Sequence, residues 1–450
     1  MNGKTTGQKN TGKDGMTMAQ IMSIVNICLG VVFTLCYFYQ FVYIFIAYLG
    51  KKRKLPDAPP KKLAILIAAR NESEVIHNLI NSLNAQDYPK EFYKIFLVAD
   101  NCTDNTAEIA RAHGAVVYER FNNVEKGKGY ALDYLIKCIE RDYGDDACDA
   151  YVVFDADNTA EPNYLTEMNK THAAGYDVVS SYRNASNYGD GWRAAGQGMY
   201  FLRDARILNM ARMRIDSNTF IAGTGFLFSR ELCKKYGGWP FHTLTEDGEF
   251  TMHNAVNGAK TGYSNDAIFY DEQATDRKTS WNQKLRWCKG GLQIYSKYGA
   301  QLFRGLFSRK FLGCLDMMMC LAPAYFLSLL AVALNVIGYA VMLITDPALW
   351  TEIFWQGGSM IGGAYSMLLI FSLVITISDW KRIRGSAAKK ILYIFTFPLF
   401  IFTFIPAAFV AIFKKVEWKQ VQHKGTPTAV ASDTESGADS EKREDELVTK

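Results

Sequence analysis

Two apolar regions frame a polar middle, and that division limits what the chain can fold into. Residues 18–49 run without one charged side chain, and a second apolar region fills 311–413. About 20 helical residues cross a bilayer core, so 18–49 predicts one long or tilted transmembrane helix. As a cleaved signal peptide the run is too long and lacks a small-residue cleavage site. Three further apolar segments are expected at about 317–345, 356–379 and 391–413. Before them, AQLFRGLFSRKFLG (300–313) has an apolar and a basic face and suits the membrane interface. The balance of 51–310 is that of a soluble domain, although 49% of all residues are hydrophobic and 14% aromatic. The termini, 1–17 and the acidic 426–450, hold too little apolar surface to fold and are expected to be disordered.

The net charge of +5 is too small to argue for nucleic acid, and its placement tells more. Lys51, Lys52, Arg53 and Lys54 follow the first apolar run; Lys381, Arg382, Arg384, Lys389 and Lys390 separate two later ones. Basic loops stay on the cytoplasmic side, which predicts a multi-pass protein of the cell membrane with its soluble domain inside. Parity then raises a problem. Three crossings after the soluble domain would put the basic 414–425 (KKVEWKQVQHKG) outside. Either 391–413, which contains Pro398 and Pro406, enters and returns as a broken hairpin, or it is a plain third span. The nine cysteines include Cys28, Cys36, Cys314 and Cys320 near the apolar regions and form no C-x-x-C pair. This predicts a reduced compartment without a zinc site.

Within the soluble part, KLAILIAA, YKIFLVAD, AVVYER and AYVVFDAD read as strands, with helices over 72–86, 104–113 and 128–142 between them. Alternation of this kind predicts a parallel sheet of βαβ units with ligands at the carboxyl ends of its strands. Polar residues gather at those ends. Ala69, Arg70, Asn71 and Glu72 close the first strand, and Asp100, Asn101 and Asp104 follow the second. Asp104 reads as a helix cap, Asp100 as a site residue. Lys126 and Lys128 stand between glycines at a helix start, which suits a phosphate. Asp155 and Asp157 end an apolar strand with no basic neighbour in sequence. Two such carboxylates repel unless a cation joins them, and hard oxygen ligands suit Mg²⁺ or Mn²⁺ bridging a diphosphate; the plainer reading is a solvated turn.

Thr245, Glu246 and Asp247 open another acidic stretch with Glu249. One of these acids could serve as general base, or all could simply favour a helix N-terminus. Finally, TSWNQKLRWCKGG places Gln283, Arg286 and Trp287 at i, i+3 and i+4, on one helix face. An indole stacks on a sugar ring, a guanidinium forks onto phosphate and an amide meets hydroxyls. An interfacial Trp/Arg belt is the alternative, and it leaves Gln283 unexplained.

Together, Glu72, Asp100, Lys128, the D-x-D at 155–157, the T-E-D at 245–247 and the Q-x-x-R-W at 283–287 resemble a processive family 2 glycosyltransferase of the cellulose, chitin and hyaluronan synthase group. The resemblance covers roughly residues 60–425. It implies an α/β GT-A (Rossmann-like) catalytic domain on the cytoplasmic side, joined to a helical transmembrane region. It also implies inversion at the anomeric carbon of a UDP-sugar. By the same resemblance Ala69, Glu72 and Asp100 would hold the nucleotide, with Lys128 at the diphosphate. Asp155 and Asp157 would organise the metal, and Asp247 in its T-E-D would be the base. Gln283, Arg286 and Trp287 would hold the acceptor sugar and the pyrophosphate, above a floor of Gly223, Thr224 and Gly225. Residues 418–425 faintly resemble the family's gating loop, with Val421, Lys424 and Gly425 in place.

The expected product is a β-linked polysaccharide, built on a growing glycan acceptor and exported through the chain's own segments. UDP-glucose and a cellulose-like or mixed-linkage glucan are favoured. A synthase using UDP-N-acetylglucosamine, or a single addition to a lipid-linked sugar, are the alternatives. Accessory export proteins are left open.

Overall fold

The computed structural model describes residues 16–51 and 55–416. The expectations for 1–15, for Lys52–Lys54, for the acidic tail and for 418–425 lie outside the described residues. Helix α1 (Met18–Leu49) starts in a capping box: the Thr17 hydroxyl accepts the Gln20 amide, and the Gln20 side chain accepts the Thr17 amide at 2.9 Å.

The chain then forms β1 (Leu63–Ala69), α2 (Ile76–Asn84), β2 (Tyr93–Asp100), α3 (Thr106–Ala112), β3 (Val116–Arg120), α4 (Lys128–Tyr143) and β4 (Ala150–Asp155). The short β5 (Thr159–Ala160), α5 (Tyr164–Ala173) and β6 (Val178–Ala185) follow. Next come α6 (Trp192–Leu202), a π-helical stretch Arg203–Asn209 and α7 (Met210–Arg214). The domain closes with β7 (Phe226–Ser229), α8 (Arg230–Tyr236), α9 (Glu246–Asn257), β8 (Thr261–Asp271) and α10 (Arg277–Gly305).

All eight strands join one sheet in the order β3-β2-β1-β4-β7-β6-β8-β5. Ile76, Leu79, Ile80 and Leu83 of α2 with Tyr164, Leu165 and Met168 of α5 cover one face. Leu132, Leu135 and Ile136 of α4 with Trp239, Phe241 and Phe250 cover the other. Burial on both faces explains why β1, β2 and β4 are apolar without alternation. The sequence predicts a parallel sheet, and the structure corrects this. β1–β4 are mutually parallel, but β7 runs antiparallel between β4 and β6, and β8 is parallel to β6. A four-residue apolar strand such as Phe226–Ser229 carries no signal of direction, so the mixed half was not legible.

Beyond the sheet lie α11 (Phe311–Ala322), a π-helical turn Pro323–Leu327, α12 (Ser328–Thr345), α13 (Trp350–Ser378), α14 (Ala387–Phe402) and α15 (Phe404–Phe413). Residues 300–305 finish α10, and the next apolar helix starts at Phe311 rather than 317. α13 likewise starts at Trp350 rather than 356. Four helical runs are long and apolar enough to cross a membrane: Met18–Leu49, Phe311–Thr345, Pro347–Ser378 and Ala387–Phe413.

The first three lie side by side in register. Asn26 meets Tyr339 at 2.9 Å, and Gln356 reaches the Ala19 carbonyl, so these ends share one level. Tyr43 meets Asp316 at 2.9 Å and Tyr48 meets Ser378 at 2.8 Å at the other, beside the sheet domain. Two buried ion pairs join that level to the domain: Arg212 of α7 with Asp316 of α11 at 2.8 Å, and Arg206 of the π stretch with Asp379 at 2.9 Å.

The fourth run behaves differently. Only Thr403 separates α14 from α15, at helical φ −66 and ψ −13, so the chain bends there without the reversal a hairpin needs. Lys389 donates to the Gly189 carbonyl at 2.7 Å, Phe400 packs on Gly196, and Lys289 donates to the Ala411 carbonyl at 3.0 Å. Start, middle and end of the run all touch the sheet domain, and Val416 still packs against the cluster in which Ala407, Ala408 and Ala411 meet Leu285 and Cys288 of α10.

Candidate active site

Strand register builds one rim. β1 pairs in parallel with both neighbours, Ala69 level with Ala99 and Ala68 level with Asp155, so three carboxyl ends open side by side. Ala69, Glu72, Asp100, Lys128, Asp155 and Asp157 line a common cavity there. Asp100 is buried and paired with Arg120 at 2.7 Å. The N-cap position of α3 is Asn105 and not Asp104, which instead ties the helix start to the end of β1 by accepting the Thr106 amide at 3.1 Å and the Ser73 amide at 3.2 Å. Lys128, the first residue of α4, pairs with Asp155 and donates to the Gly223 carbonyl at 2.7 Å. The aspartate pair therefore does have a cationic partner, supplied by the fold and not by neighbouring sequence.

No group of three or more His, Cys, Asp or Glu converges as a metal cage among the described residues. A Mg²⁺-type ion needs none: one or two carboxylates plus substrate phosphates suffice, and an ammonium already sits against Asp155, marking a place for positive charge. Asp155 and Asp157 fit that role.

The T-E-D forms the start of α9. Glu249, fully buried, accepts the amides of His242 at 3.1 Å and Thr243 at 2.9 Å and pairs with Lys297, fixing the approach to Thr245. The acidic stretch thus splits: Glu249 positions, while Thr245, Glu246 and Asp247 line the cavity. Glu246 is buried and Asp247 half-buried. Burial raises both carboxyls; Asp247 pushes Glu246 further, whereas Lys128 and Arg286 pull both back.

Gly223, at φ +84, brings backbone so near that an added Cβ would lie 3.3 Å from Asp247 Oδ2. The left-handed φ favours glycine, and any side chain there would press on Asp247. Thr224 and Gly225 are not on the cavity surface. The Thr224 hydroxyl accepts the Asp155 amide at 2.8 Å and bonds Asn158, and Gly225 rests on Phe269, so both support the floor from beneath.

α10 carries Gln283, Arg286 and Trp287 to the same cavity. It docks on the T-E-D through Gly290, where any Cβ would overlap Thr245. Trp287 stands among Tyr200, Phe201 and Phe404, with ring centroids 6.5, 6.0 and 6.3 Å away. The sequence did not single out these three aromatics, nor Arg183 and Asp271. Arg183 lies 3.5 Å from the Phe201 ring centre and pairs with Asp271. Asp271 ends β8, so the strand-end reasoning used for Asp100 and Asp155 would have found it.

The cavity has a volume of about 1500 Å³ and continues past Tyr325 to Asn26, Tyr339 and Gly357 among the long helices. Such a site places paired carboxylates, an ammonium, a guanidinium and an indole around one space, which suits transfer from an anionic leaving group to a hydroxyl.

Comparison with known proteins accords with this. Residues 59–290 match the model of the glycosyltransferase like family 2. The chain is 26% identical over 265 residues to the probable glycosyltransferase YdaM of Bacillus subtilis, covering 54% of this chain and 58% of that one. It is 26% identical over 246 residues to the beta-monoglucosyldiacylglycerol synthase of Synechocystis, covering 53% and 50%. The chain thus spans about half the length of the curated relatives it matches. Among solved structures, the mannosyltransferase PcManGT of Pyrobaculum calidifontis, in complex with GDP-Man and Mn²⁺, superposes with TM-score 0.55 over 88% of this chain and 99% of that one. At 14% identity that likeness bears on the fold, which is GT-A. Since the matched span 59–290 is more than half of its 450 residues, the chain belongs to the family 2 glycosyltransferases.

Proposed function

We propose that this protein is an inverting, membrane-embedded glycosyltransferase that extends a β-linked glycan from a UDP-sugar and passes the product along the cavity between its long helices. Ala69, Glu72 and Asp100 would seat the nucleotide. Asp155 and Asp157 would hold Mg²⁺ or Mn²⁺, which when bound neutralises the diphosphate. Lys128 and Arg286 would meet the charge that develops as UDP leaves. Asp247 would take the proton of the acceptor hydroxyl, a role worth about 10²–10⁴ in rate. Trp287 and Gln283 would hold the acceptor's terminal ring. The UDP-glucose expectation stands beside UDP-N-acetylglucosamine for the donor.

One observation carries the reading: the space that holds Asp247 and Trp287 is continuous with one face of α1, Asn26, Gly30, Phe33, Tyr37 and Phe41, almost to its outer end. A single addition needs no path of that depth. The arrangement of the helices supports the same orientation. If α1, α11–α12 and α13 cross while α14–α15 lies against the catalytic domain, Val416 stays on the domain's side, as a basic 414–425 requires. A second reading, one transfer onto a lipid-borne hydroxyl, draws on the apolar residues of the same cavity wall, such as Val332, Val336 and Met360, and on the relative named for glucosyldiacylglycerol. Purified protein in nanodiscs, supplied in turn with UDP-glucose and UDP-N-acetylglucosamine, separates them by product size. A long glycan supports polymerisation, a monoglycosylated lipid supports the second reading, and no UDP release with either donor defeats both.

A further inference from the structure

One wall of the cavity contains two buried polar atoms that nothing among the described residues satisfies. Asp271 is 3% exposed and Gln273 5% exposed, and both line the catalytic cavity. Oδ2 of Asp271 takes the fork of Arg183, with Nε at 2.8 Å, and leaves Oδ1 without a partner among the described residues. The Gln273 backbone is fixed by Asn187, through bonds of 2.9 Å to its amide and its carbonyl, yet its side-chain Nε2 donates to nothing described. A buried polar group left unmade costs free energy, so such atoms persist where a ligand or water completes them.

Their position says which ligand. Arg183 donates to the Ala222 carbonyl at 2.5 Å, next to Gly223, which abuts Asp247. Its charge is felt at Asp247 and lowers that carboxyl. On its other side Arg183 covers Phe201, which meets Trp287 edge to face at 73°. Arg183 thus joins this wall to Asp247 through Ala222 and Gly223 and to the indole through Phe201. Asp247, Trp287, Asp271 and Gln273 line one cavity, so an acceptor ring placed against Trp287 with one hydroxyl at Asp247 shares its space with this wall.

We propose that Asp271 and Gln273 form a hydroxyl-binding subsite for the acceptor, with Asp271 Oδ1 accepting from one hydroxyl and Gln273 Nε2 donating to a second. Residues two apart along extended chain project to one face, and one acceptor atom beside one donor atom matches a diol of a pyranose. Among the described residues of this wall, Arg183 is matched by Asp271, Arg203 by Asp204 and Arg212 by Asp316, a balance that suits a neutral ligand better than an anionic headgroup. The ligand class is therefore a neutral, polyhydroxylated sugar. This rests on the acceptor reading of Trp287 but not on turnover.

The test is a binding measurement on the full chain in nanodiscs with UDP present, using cellotetraose and chitotetraose as probes and saturation-transfer NMR as readout. Gln273→Leu, which breaks no bond within the protein, should weaken the better-bound probe about tenfold, and Asp271→Asn by more, with UDP affinity and melting temperature of Gln273→Leu unchanged. Unaltered probe affinity in Gln273→Leu overturns the proposal even if Asp271→Asn fails to fold, and so does wild-type protein that binds neither probe. Loss of probe binding in the variants of a protein that turns over no UDP-sugar would leave the subsite standing and remove the enzymatic reading instead.

Discussion

The two sides of the cavity are built on different principles. The proposed donor rim, Ala69, Asp100, Asp155 and Lys128, is set by the register of adjacent parallel strands, and its charges are balanced within the rim, Asp100 by Arg120 and Asp155 by Lys128. The proposed acceptor wall, Asp247, Trp287, Tyr200, Phe404 and Asp271, is assembled from helices, a π-helical region and the antiparallel half of the sheet, and burial raises the carboxyls of Glu246 and Asp247 beside it. A rim of paired charges binds and releases an anion readily. A wall of stacked rings and raised carboxyls is suited to gripping a neutral ring and removing one proton from it. Binding and chemistry are thereby separable by mutation.

The largest expected effect tests that separation directly. Asp247→Asn should lower kcat by about 10²–10⁴ while UDP affinity by calorimetry stays within about twofold; weakened UDP binding would merge the two sides. Next, chelation by EDTA, or Asp157→Asn, should abolish turnover and lower UDP affinity about tenfold or more. Added Mg²⁺ or Mn²⁺ should rescue the chelated wild type, and full activity in EDTA would show a donor rim that needs no ion.

The pH profile probes the wall. A base must be unprotonated, and burial raises the Asp247 carboxyl above the ordinary range of about 3.9, so with Asp247 as the proposed base kcat/KM should fall with acid at a higher pH than a solvated aspartate allows. Lys128→Met removes a charge that lowers both carboxyls, so it should move this acid limb further up in pH. Trp287→Ala should raise the acceptor KM by up to about tenfold without changing UDP affinity. The smallest change is steric. Gly290→Ala pushes α10 off Thr245, an overpacking of about 1–3 kcal/mol read as a drop of a few degrees in melting temperature.

Much of the donor rim was legible because its signals are local. Asp155 and Asp157 adjoin an apolar strand end, and the spacing of Gln283, Arg286 and Trp287 is itself a helix face. Arg183 and Asp271 were not, because they meet only through the pairing of β6 with β8, which sets Ala185 level with Asp271. Tyr200 and Phe201 carry no local signal and join the site only where α10 and α15 pack beside them. The course of 387–413 was equally hidden. Hydropathy reports dislike of water and cannot distinguish lipid from protein as the covering phase, whereas Ala407, Ala408 and Ala411 present a small-residue face to α10.

The pairs Arg212–Asp316 and Arg206–Asp379 fasten the sheet domain to two separate helices at one level. Parting a buried pair of this kind costs about 3–5 kcal/mol, so the body is stiff at its waist and the domain cannot rock freely against the bundle. If a polymer does travel through the cavity, its thrust has to come from lengthening at its own end, one residue per cycle, with the protein acting as a fixed die and not as a lever.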